Sequence, residues 1–406
     1  MTIRNVIVVC DYAYIEGGAA RVAVQTAVEL SKRSNLKVYF FAGCGEPCQE
    51  LVQSSVQVIS LGMYDLLGNP SKLDAMKKGI YNRKAGKLLE DLLNTLEEKE
   101  TIIHVHTWTK VLSSAIFAVA DKKNIPVFLT VHDYFLTCPN GGCYDYVKNE
   151  ICERNPMSFD CVICNCDSRH YYYKVWRCMR QFRQNRVIRN CKNIRYIFIS
   201  EFAKKQLMRR FGEPKWQFML KNPSTFSERK RVLAEKNEIY LYIGRVSEEK
   251  GVPLFCEAVE NAGVKAVVVG DGGLKKDLEK KYPDITFTGW LEKAQIDQWI
   301  EKSRCLIFPS RWYEGSPLTV PEVQAYGIPC IVTDCSAAVD NIVTEKNGLI
   351  VKADGKEMCS AIAKMANDEI VAKMSYNTFE LFDEKSYSND VYIKNLLQIY
   401  EKGDQL

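Results

Sequence analysis

Residues 305–334, CLIFPSRWYEGSPLTVPEVQAYGIPCIVTD, contain the pattern that decides the fold. The runs CLIFP (305–309) and PCIVTD (329–334) are short and apolar, which is typical of strands buried on both faces. Between them lie a polar loop with a glycine and a stretch that predicts a helix. Successive strands joined by a helix pair in parallel, so this stretch predicts part of a parallel sheet covered by helices.

The same alternation of apolar strands and amphipathic helices extends in both directions and forms two series. Further strands are predicted at 6–10, 37–43, 56–62, 102–106, 126–132 and 195–200 in the first half, and at 239–244, 266–270 and 285–289 in the second. Helices are predicted at 19–33, 72–99, 250–262, 274–282, 292–302 and 388–402. Two such series predict an α/β protein of two doubly wound, Rossmann-like domains that face a cleft.

The domain boundary is expected in the polar stretch 222–238, which has no strand pattern. We therefore expect an N-terminal domain at 1–222, a C-terminal domain at 223–385 and a terminal helical segment at 386–406.

Composition excludes several classes of protein. The chain has 406 residues, of which 47% are hydrophobic and 26% charged, as in ordinary globular proteins. This balance excludes a disordered chain, and no apolar run approaches the roughly 18–20 residues of a membrane span. The first residues, MTIRNVIVVCDYAY, are apolar over too short a stretch for a signal peptide and predict a strand. The 16 cysteines are therefore expected to be reduced, in the cytoplasm.

Charge is divided unevenly between the two halves. Residues 1–222 have 32 Lys and Arg against 21 Asp and Glu, a net charge of +11, whereas residues 223–406 have 23 against 29, a net charge of −6. The first half is therefore expected to face an anionic partner, and a membrane surface, a phosphorylated substrate and a nucleic acid all remain open.

Polar residues follow the strands of the second half, at the edge where doubly wound sheets bind ligands. Arg245 and Lys250 follow the first of these strands and can clamp a diphosphate; the alternative is a pair of solvated surface cations. Asp271 lies in a glycine turn after the next strand. Trp290 and Leu291 follow the third, where backbone groups can meet a nucleobase.

Two carboxylates flank the loop of the opening segment. Glu314 precedes the loop and Glu322 lies on the predicted helix after it. Carboxylates accept hydrogen bonds from sugar hydroxyls, and the backbone N–H groups at the helix start suit a phosphate. Because Pro317 has no N–H, the better donors are Ser316, Leu318 and Thr319.

These motifs together resemble the retaining glycosyltransferases of family 4, which have the GT-B fold. The likeness extends nearly along the whole chain. It rests on Gly17-Gly18 after the first strand, His104 and His106 at an H-x-H strand end, His132-Asp133, the strand IFISEF (197–202), Gly244-Arg245 with Lys250-Gly251, Gly270-Asp271-Gly272, and Glu314 with Glu322 in an E-x7-E segment.

The resemblance implies a role for each matching residue. Glu314 would bind hydroxyls of the donor hexose and Glu322 the donor ribose, while Arg245 and Lys250 would bind the diphosphate. His132 would lie beside the donor sugar. The further residues implied on the donor side are Gly17, Gly18, Gly244, Asp271, Trp290, Leu291, Ser316, Leu318 and Thr319, and those on the acceptor side are His106 and Asp133. The terminal helix would cross back to the N-terminal domain, which would bind the acceptor.

A leaving nucleoside diphosphate develops negative charge that fixed cations can stabilise. The sequence has no Asp-x-Asp pair of the kind that binds a divalent metal on a diphosphate, so we expect Arg245 and Lys250 to supply that charge. No cofactor is expected besides a donor sugar of the UDP or GDP type. The resemblance implies retention of configuration, and with no obvious nucleophile we expect a front-face route.

Residues 138–195 form an insert that is rich in cysteine and in basic residues. Cys161 and Cys164 have the spacing of half a zinc site, which Cys138 and Cys143 could complete. The spacings match no standard zinc template, so reduced cysteines packed in an irregular insert are the preferred interpretation.

A basic helix follows the cysteines. Lys or Arg recurs at every third position from 174 to 195 with no acidic residue between them. Helical spacing predicts one side with Val175, Cys178, Met179 and Phe182, and an opposite side with Lys174, Arg177, Arg180 and Arg183. Such a helix suits an anionic membrane surface, or it packs on its domain with a solvated basic side. Nucleic acid is disfavoured because recognition motifs are missing.

The sequence thus predicts a glycosyltransferase that is cytoplasmic and peripherally associated with the inner face of the cell membrane. It would transfer a hexose to a lipid-linked or oligosaccharide acceptor in surface polysaccharide synthesis. The alternatives are a nucleotide-sugar epimerase of GT-B-like fold and a non-catalytic, metal-bound binding module. A dinucleotide oxidoreductase is disfavoured, because IEGGAAR (15–21) lacks the G-x-G-x-x-G turn.

Overall fold

The computed structural model describes residues 3–226 and 230–404. The predicted boundary stretch therefore includes three residues, 227–229, that lie outside the described residues, as do the last two of the predicted terminal segment. Two parallel sheets lie on either side of this boundary, and the predicted two-domain α/β architecture is confirmed.

The N-terminal sheet has seven parallel strands among the described residues, in the order β3-β2-β1-β4-β5-β8-β9. Its strands are β1 (Asn5–Tyr12), β2 (Lys37–Cys44), β3 (Gln57–Ser60), β4 (Thr101–Val105), β5 (Val127–Val131), β8 (Ile194–Phe198) and β9 (Gln217–Met219), and the small hairpin β6 (Tyr144–Asp145) and β7 (Glu150–Ile151) lies in the insert. The helices are α1 (Gly18–Ser31), α2 (Gln49–Val52), α3 (Lys72–Ile80), α4 (Arg83–Leu93), α5 (Ala115–Lys122), α6 (Phe159–Ile163), α7 (Tyr171–Asn190) and α8 (Glu201–Phe211). Every residue of β1 is buried, because helices cover both faces of the sheet.

The C-terminal sheet has six parallel strands within the described part of the chain, in the order β12-β11-β10-β13-β14-β15. They are β10 (Ile239–Ile243), β11 (Ala266–Val269), β12 (Thr286–Gly289), β13 (Ser303–Phe308), β14 (Cys330–Thr333) and β15 (Gly348–Val351). Its helices are α9 (Val252–Ala262), α10 (Lys275–Lys281), α11 (Lys293–Glu301), α12 (Thr319–Gln324), α13 (Gly355–Lys364) and α14 (Asp368–Leu381). Strands β9 and β15 were not predicted.

The predicted helix over 72–99 is wrong in one respect, because the structure divides it into α3 and α4. Asn82 lies between them and caps α4, since its Oδ1 accepts from the N–H of Ala85 at 3.1 Å. Its Nδ2 donates to the carbonyl of Val111 at 2.8 Å, so the break is anchored to the domain. Asn is a favoured N-cap, and this signal was present in the sequence.

The terminal helix α15 (Asn389–Asp404) packs on the N-terminal domain. Ile393 and Leu396 join the buried cluster that contains Val24 of α1. The hydroxyls of Tyr392 and Thr26 lie 2.9 Å apart and are buried. The crossing that the resemblance implied is therefore present in the fold.

Helix α7 turns residues of its predicted basic side towards the domain and residues of its predicted apolar side outward. Lys174 and Arg180 are buried, whereas Val175, Met179 and Phe182 are exposed. The physical reason lies in residues 135–139, an irregular stretch whose backbone carbonyls need donors. The side chains of Arg180, Gln181 and Gln184 supply them, to Pro139 (2.8 Å), Leu136 (3.2 Å) and Phe135 (2.7 Å).

Candidate functional site

A cavity of about 240 Å³ lies between the two domains, at the carboxyl ends of their strands. The N-terminal domain contributes the start of α1 and the segment after β5, and the C-terminal domain contributes the loop before α12. Of the residues predicted from the sequence, the cavity is lined by Gly18, His132, Asp133, Glu314, Ser316 and Leu318. The fold thus brings together residues that are up to 300 positions apart in the sequence.

The strongest polar contact of this site joins Lys250 to Glu314. The Nζ of Lys250 donates to Oε1 of Glu314 at 2.7 Å, and the hydroxyl of Ser310 donates to the same oxygen at 3.0 Å. The Lys250 ammonium also lies 5.3 Å from the centre of the Trp312 ring. Glu314 therefore lines the cavity with a cation fixed beside it, although Lys250 itself is not among the lining residues.

The position of Lys250 depends on the glycine that follows it. Gly251 has φ 73°, and a Cβ built on it would lie 1.9 Å from the carbonyl oxygen of Pro309. Only glycine fits both the left-handed backbone and the close approach of the β13 end. Gly251 is also the N-cap of α9.

Arg245 lies at the end of β10, on the more exposed side of the same edge. Its Nη2 donates to Oε1 of Glu249 at 2.7 Å, and its carbonyl accepts from the hydroxyl of Tyr242 at 2.8 Å. The Arg245 side chain is 58% exposed, whereas that of Glu249 is 11% exposed. Gly244 precedes it with φ 153°. The guanidinium is therefore held at one end and remains exposed to solvent.

Three histidines lie together at the cavity: His104 and His106 are buried, and His132 lines the cavity. His106 Nδ1 and His132 Nε2 share a hydrogen bond of 3.0 Å, and the His104 ring lies 4.3 Å from that of His106. Burial lowers the pKa of His132 to about 4, and burial with the neighbouring histidines lowers the pKa of His106 well below its usual value. Both imidazoles are therefore neutral at physiological pH and can each donate and accept one hydrogen bond.

Two aspartates occupy the N-terminal half of the site. Asp133 accepts from the N–H of Phe135 at 2.9 Å, and burial raises its pKa to about 6. Asp11, at the end of β1, was not predicted: its carboxylate accepts from the backbone N–H groups of Lys110, Val111 and Leu112. Asp11 therefore organises the segment after β4 from inside the domain.

The glycine loop and the helix starts lie where the sequence predicted phosphate contacts. Gly17 is the N-cap of α1 with φ 106°, and Gly18 begins that helix. Helix α12 begins at Thr319, with Leu318 as its N-cap and Ser316 in the loop before it. Both helix starts open onto the cavity between the domains.

The residues predicted to meet the nucleoside lie further out on the C-terminal domain. Asp271 is exposed, and its carboxylate accepts from the N–H of Gly272 at 2.7 Å. Trp290 is 70% exposed, and Leu291 packs partly against the core. Glu322 lies next to α11. Burial raises the pKa of its carboxyl group, and the opposing effect of the Lys293 charge is smaller. These groups surround an outer edge of the domain and do not line the cavity.

Three residues that line the cavity carry buried polar atoms without a hydrogen-bond partner among the described residues. They are the hydroxyl of Tyr134, Oδ1 of Asn222 and Nε1 of Trp312. Asn222 stands in KNPS (221–224), a stretch without a recognisable motif, and was not predicted as a site residue.

The four candidate zinc ligands do not come together. Cys161 accepts from the Lys174 ammonium at 3.6 Å, and the Cys164 thiol donates to Asp145 at 3.4 Å. Cys138 and Cys143 lie beside each other, where hydrogen bonding from Cys143 lowers the pKa of Cys138 to about 5. The described residues include no group of three or more Cys, His, Asp or Glu placed to bind a metal ion.

Both halves of the chain match families of glycosyltransferases. A family model of Glycosyltransferase Family 4 matches residues 16–218, half of the chain, and one of Glycosyl transferases group 1 matches residues 237–368. The chain belongs to glycosyltransferase family 4, and its two domains have the GT-B architecture. The resemblance inferred from the motifs is confirmed.

Two curated relatives illustrate the range of the likeness. An Escherichia coli UDP-Gal:alpha-D-GlcNAc-diphosphoundecaprenol alpha-1,3-galactosyltransferase is 27% identical over 38% of this chain and 43% of its own length. A GDP-mannose-dependent alpha-mannosyltransferase of Corynebacterium glutamicum is 28% identical over 39% of this chain and 38% of its own. The chain thus spans less than half of the length of either relative.

The whole fold is similar to a solved structure, Anabaena HepE in complex with UDP and glucose. The TM-score is 0.64 at 13% identity, and the match covers 98% of this chain and all of the other. At this sequence identity, the similarity shows that the two proteins share a fold.

Proposed function

We propose that this protein transfers a hexose from a nucleoside diphosphate sugar to a lipid-linked or oligosaccharide acceptor in surface polysaccharide synthesis. The observation that supports it best is Glu314, which lines a cavity that both domains contribute to and which accepts a hydrogen bond from the ammonium of Lys250. One group of this pair suits the diphosphate and the other the sugar hydroxyls. The lipid carrier is suggested by the Escherichia coli relative, whose name includes a diphosphoundecaprenol acceptor.

The proposed reaction breaks the bond between the anomeric carbon and the diphosphate. The cations of Lys250 and Arg245 would stabilise the leaving diphosphate, together with backbone N–H groups at the starts of α1 and α12. His132, neutral because burial lowers its pKa, would donate a hydrogen bond to the hexose or accept one from it. Glu322, beside α11, would bind the ribose.

We propose retention of configuration by a front-face route, in which a diphosphate oxygen takes the proton of the acceptor hydroxyl. This proposal is supported by the state of the two nearby carboxylates. Oε1 of Glu314 accepts from Lys250 and Ser310, and Oδ1 of Asp133 accepts from the N–H of Phe135, so each carboxylate already has a structural role. Transfer is proposed to need no divalent metal, because the two cations serve that purpose.

The first test is binding of UDP, GDP, ADP and CMP, measured as the rise in Tm with and without EDTA. Ligand at about 100 times its Kd stabilises the folded state by about 2.7 kcal/mol. We expect one diphosphate to raise Tm by a few degrees and EDTA to leave that rise unchanged. A rise that EDTA abolishes would contradict metal independence.

The second test concerns Lys250. We expect Lys250→Ala to lower kcat for sugar transfer by about 10²–10³, because a charged donor aimed at the leaving group is lost. Lys276→Ala, at an exposed lysine of α10, is the matched control and should change nothing. Full transfer by Lys250→Ala would refute the proposed role, and conversion of the sugar nucleotide without an acceptor would favour an epimerase.

A further inference from the structure

The outward side of α7 is apolar, although the helix is rich in arginine. Met179 and Phe182 are 47% and 67% exposed, and Val175 is 40% exposed. By contrast Lys174 is 1% exposed, and its ammonium donates to the sulfur of Cys166 at 3.3 Å. Burying cations while exposing an aromatic ring costs free energy in water, so this side is suited to contact something other than water.

A neighbouring helix extends the same exposed surface. The indole N–H of Trp176 donates to the carbonyl of Met76 at 3.1 Å, which fixes α3 against α7. Met76 and Leu73 of α3 are themselves exposed. We call this surface the α3–α7 face; its apolar members are Leu73, Met76, Tyr172, Val175, Met179 and Phe182.

The charges that border the α3–α7 face are positive. Arg186 and Arg189 are exposed, and helical spacing places them in the same arc as Met179 and Phe182. Lys72 and Lys77 of α3 are exposed as well. Helix α7 has no acidic residue, and the acid of α3, Asp74, is paired with Lys78 at 2.7 Å.

We propose that the α3–α7 face docks on an anionic membrane surface. Apolar side chains bordered by lysine and arginine bind at the interface of a bilayer, where the chains enter the headgroup region and the cations meet anionic lipids. No described helix is long and apolar enough to cross a bilayer, so the contact is peripheral. The role of the membrane contact in sugar transfer rests on the proposed function, whereas binding of the face to a membrane can be measured without any substrate.

Docking through this face would place the cleft beside the lipid. Arg180, Gln181 and Gln184 of α7 bind the backbone of residues 135–139, which closely follow His132 and Asp133 in the chain. Gly141, two residues after that stretch, lines the cavity. A lipid-linked acceptor could then reach the site without leaving the membrane.

The test is co-sedimentation of the full chain with vesicles of phosphatidylglycerol and phosphatidylcholine, compared with phosphatidylcholine alone. We expect binding to the anionic vesicles only, weakened by added NaCl. The double variant Met179→Ser/Phe182→Ser should lower the partition coefficient by about tenfold or more, since two apolar side chains no longer enter the interface. The matched control is Val343→Ser/Leu381→Ser, at positions that are 49% and 53% exposed on the C-terminal domain.

Three outcomes would overturn the proposal. The first is failure of the wild type to bind anionic vesicles in the assay, and the second is an α7 variant that binds them as well as the wild type does. The third is a wild-type dimer in sedimentation velocity that becomes a monomer in the α7 variant, since the face would then bind a second copy. Both variants leave the cleft intact, so the rise in Tm with UDP, GDP, ADP and CMP separates the two proposals. No rise with any of the four nucleotides in any protein would refute the proposed function and leave the docking result standing.

Discussion

At the level of single residues, burial decides the chemistry of the histidines. His104 lies on β4 and is completely buried, with one ring nitrogen 2.6 Å from the Tyr400 hydroxyl and the other 2.7 Å from that of Thr130. Burial, with a smaller effect of His132, lowers its pKa to about 3. The H-x-H motif does not show that His104 is structural while His106, two positions on, hydrogen-bonds to His132 at the cavity.

This burial predicts a dependence of stability on pH. The unfolded state binds a proton at His104 below about pH 6.5, whereas the folded state does so only near pH 3. The contribution is therefore fully present above pH 6.5 and is lost as pH falls, by about 1.4 kcal/mol per pH unit. In urea unfolding between pH 7.5 and 5, stability should fall once the pH is below about 6.5, and His106 and His132, whose pKa values burial also lowers, add to the slope of the wild type.

The variant His104→Asn isolates the effect, because His106 and His132 titrate in both proteins. Its free energy of unfolding should fall less steeply with decreasing pH than that of the wild type. Equal pH dependence of the free energy of unfolding in the two proteins would show that His104 does not contribute to it.

At the level of elements, the two ends of α9 offer a matched comparison. Gly251 and Gly263 flank the helix, and both have left-handed backbones, with φ 73° and 62°. A Cβ at Gly251 would collide with Pro309, whereas nothing lies within 4 Å of one at Gly263. Gly263→Ala should therefore cost about 1 kcal/mol, the strain of the backbone alone.

Gly251→Ala should cost clearly more in denaturant unfolding and should also weaken binding of the donor nucleotide, because Lys250 moves with the displaced loop. The comparison would fail if the two alanine variants had the same stability and the same nucleotide affinity.

At the level of the whole molecule, α15 joins the end of the chain to its beginning. Leu396 is completely buried in the N-terminal core, whereas Lys394 on the same helix is exposed. Leu396→Ala should destabilise the N-terminal domain by about 2–5 kcal/mol, and Lys394→Ala should change stability by less than about 0.5 kcal/mol. Hydrogen exchange should show the loss of protection in β1 and α1. Loss of protection confined to β10 and α9 would show instead that α15 stabilises the C-terminal domain.

Direct contacts between the domains also close the cleft. The hydroxyl of Ser200 donates to the carbonyl of Gly315 at 2.6 Å, and the N–H of Phe202 donates to Asp340 at 3.1 Å. The Tyr313 ring packs against Tyr134 at 5.9 Å. These contacts set the distance between His132 and Glu314 on opposite walls, and neither half of the chain contains that information alone.

The two parallel sheets and the family could be predicted from the sequence, because buried parallel strands are continuous apolar runs and the motifs follow them in order. Of the predicted site residues, Glu314 and the residues at the two helix starts line the cavity, and Lys250 contacts Glu314. Which side of α7 faces outward could not be predicted and depends on tertiary contacts. Helical periodicity defines two sides but not their partners, and the backbone carbonyls of Phe135, Leu136 and Pro139 accept hydrogen bonds from the polar side, which therefore faces inward. Asp11 and Asn222 were missed for the same reason: their role comes from neighbours that are distant in the sequence.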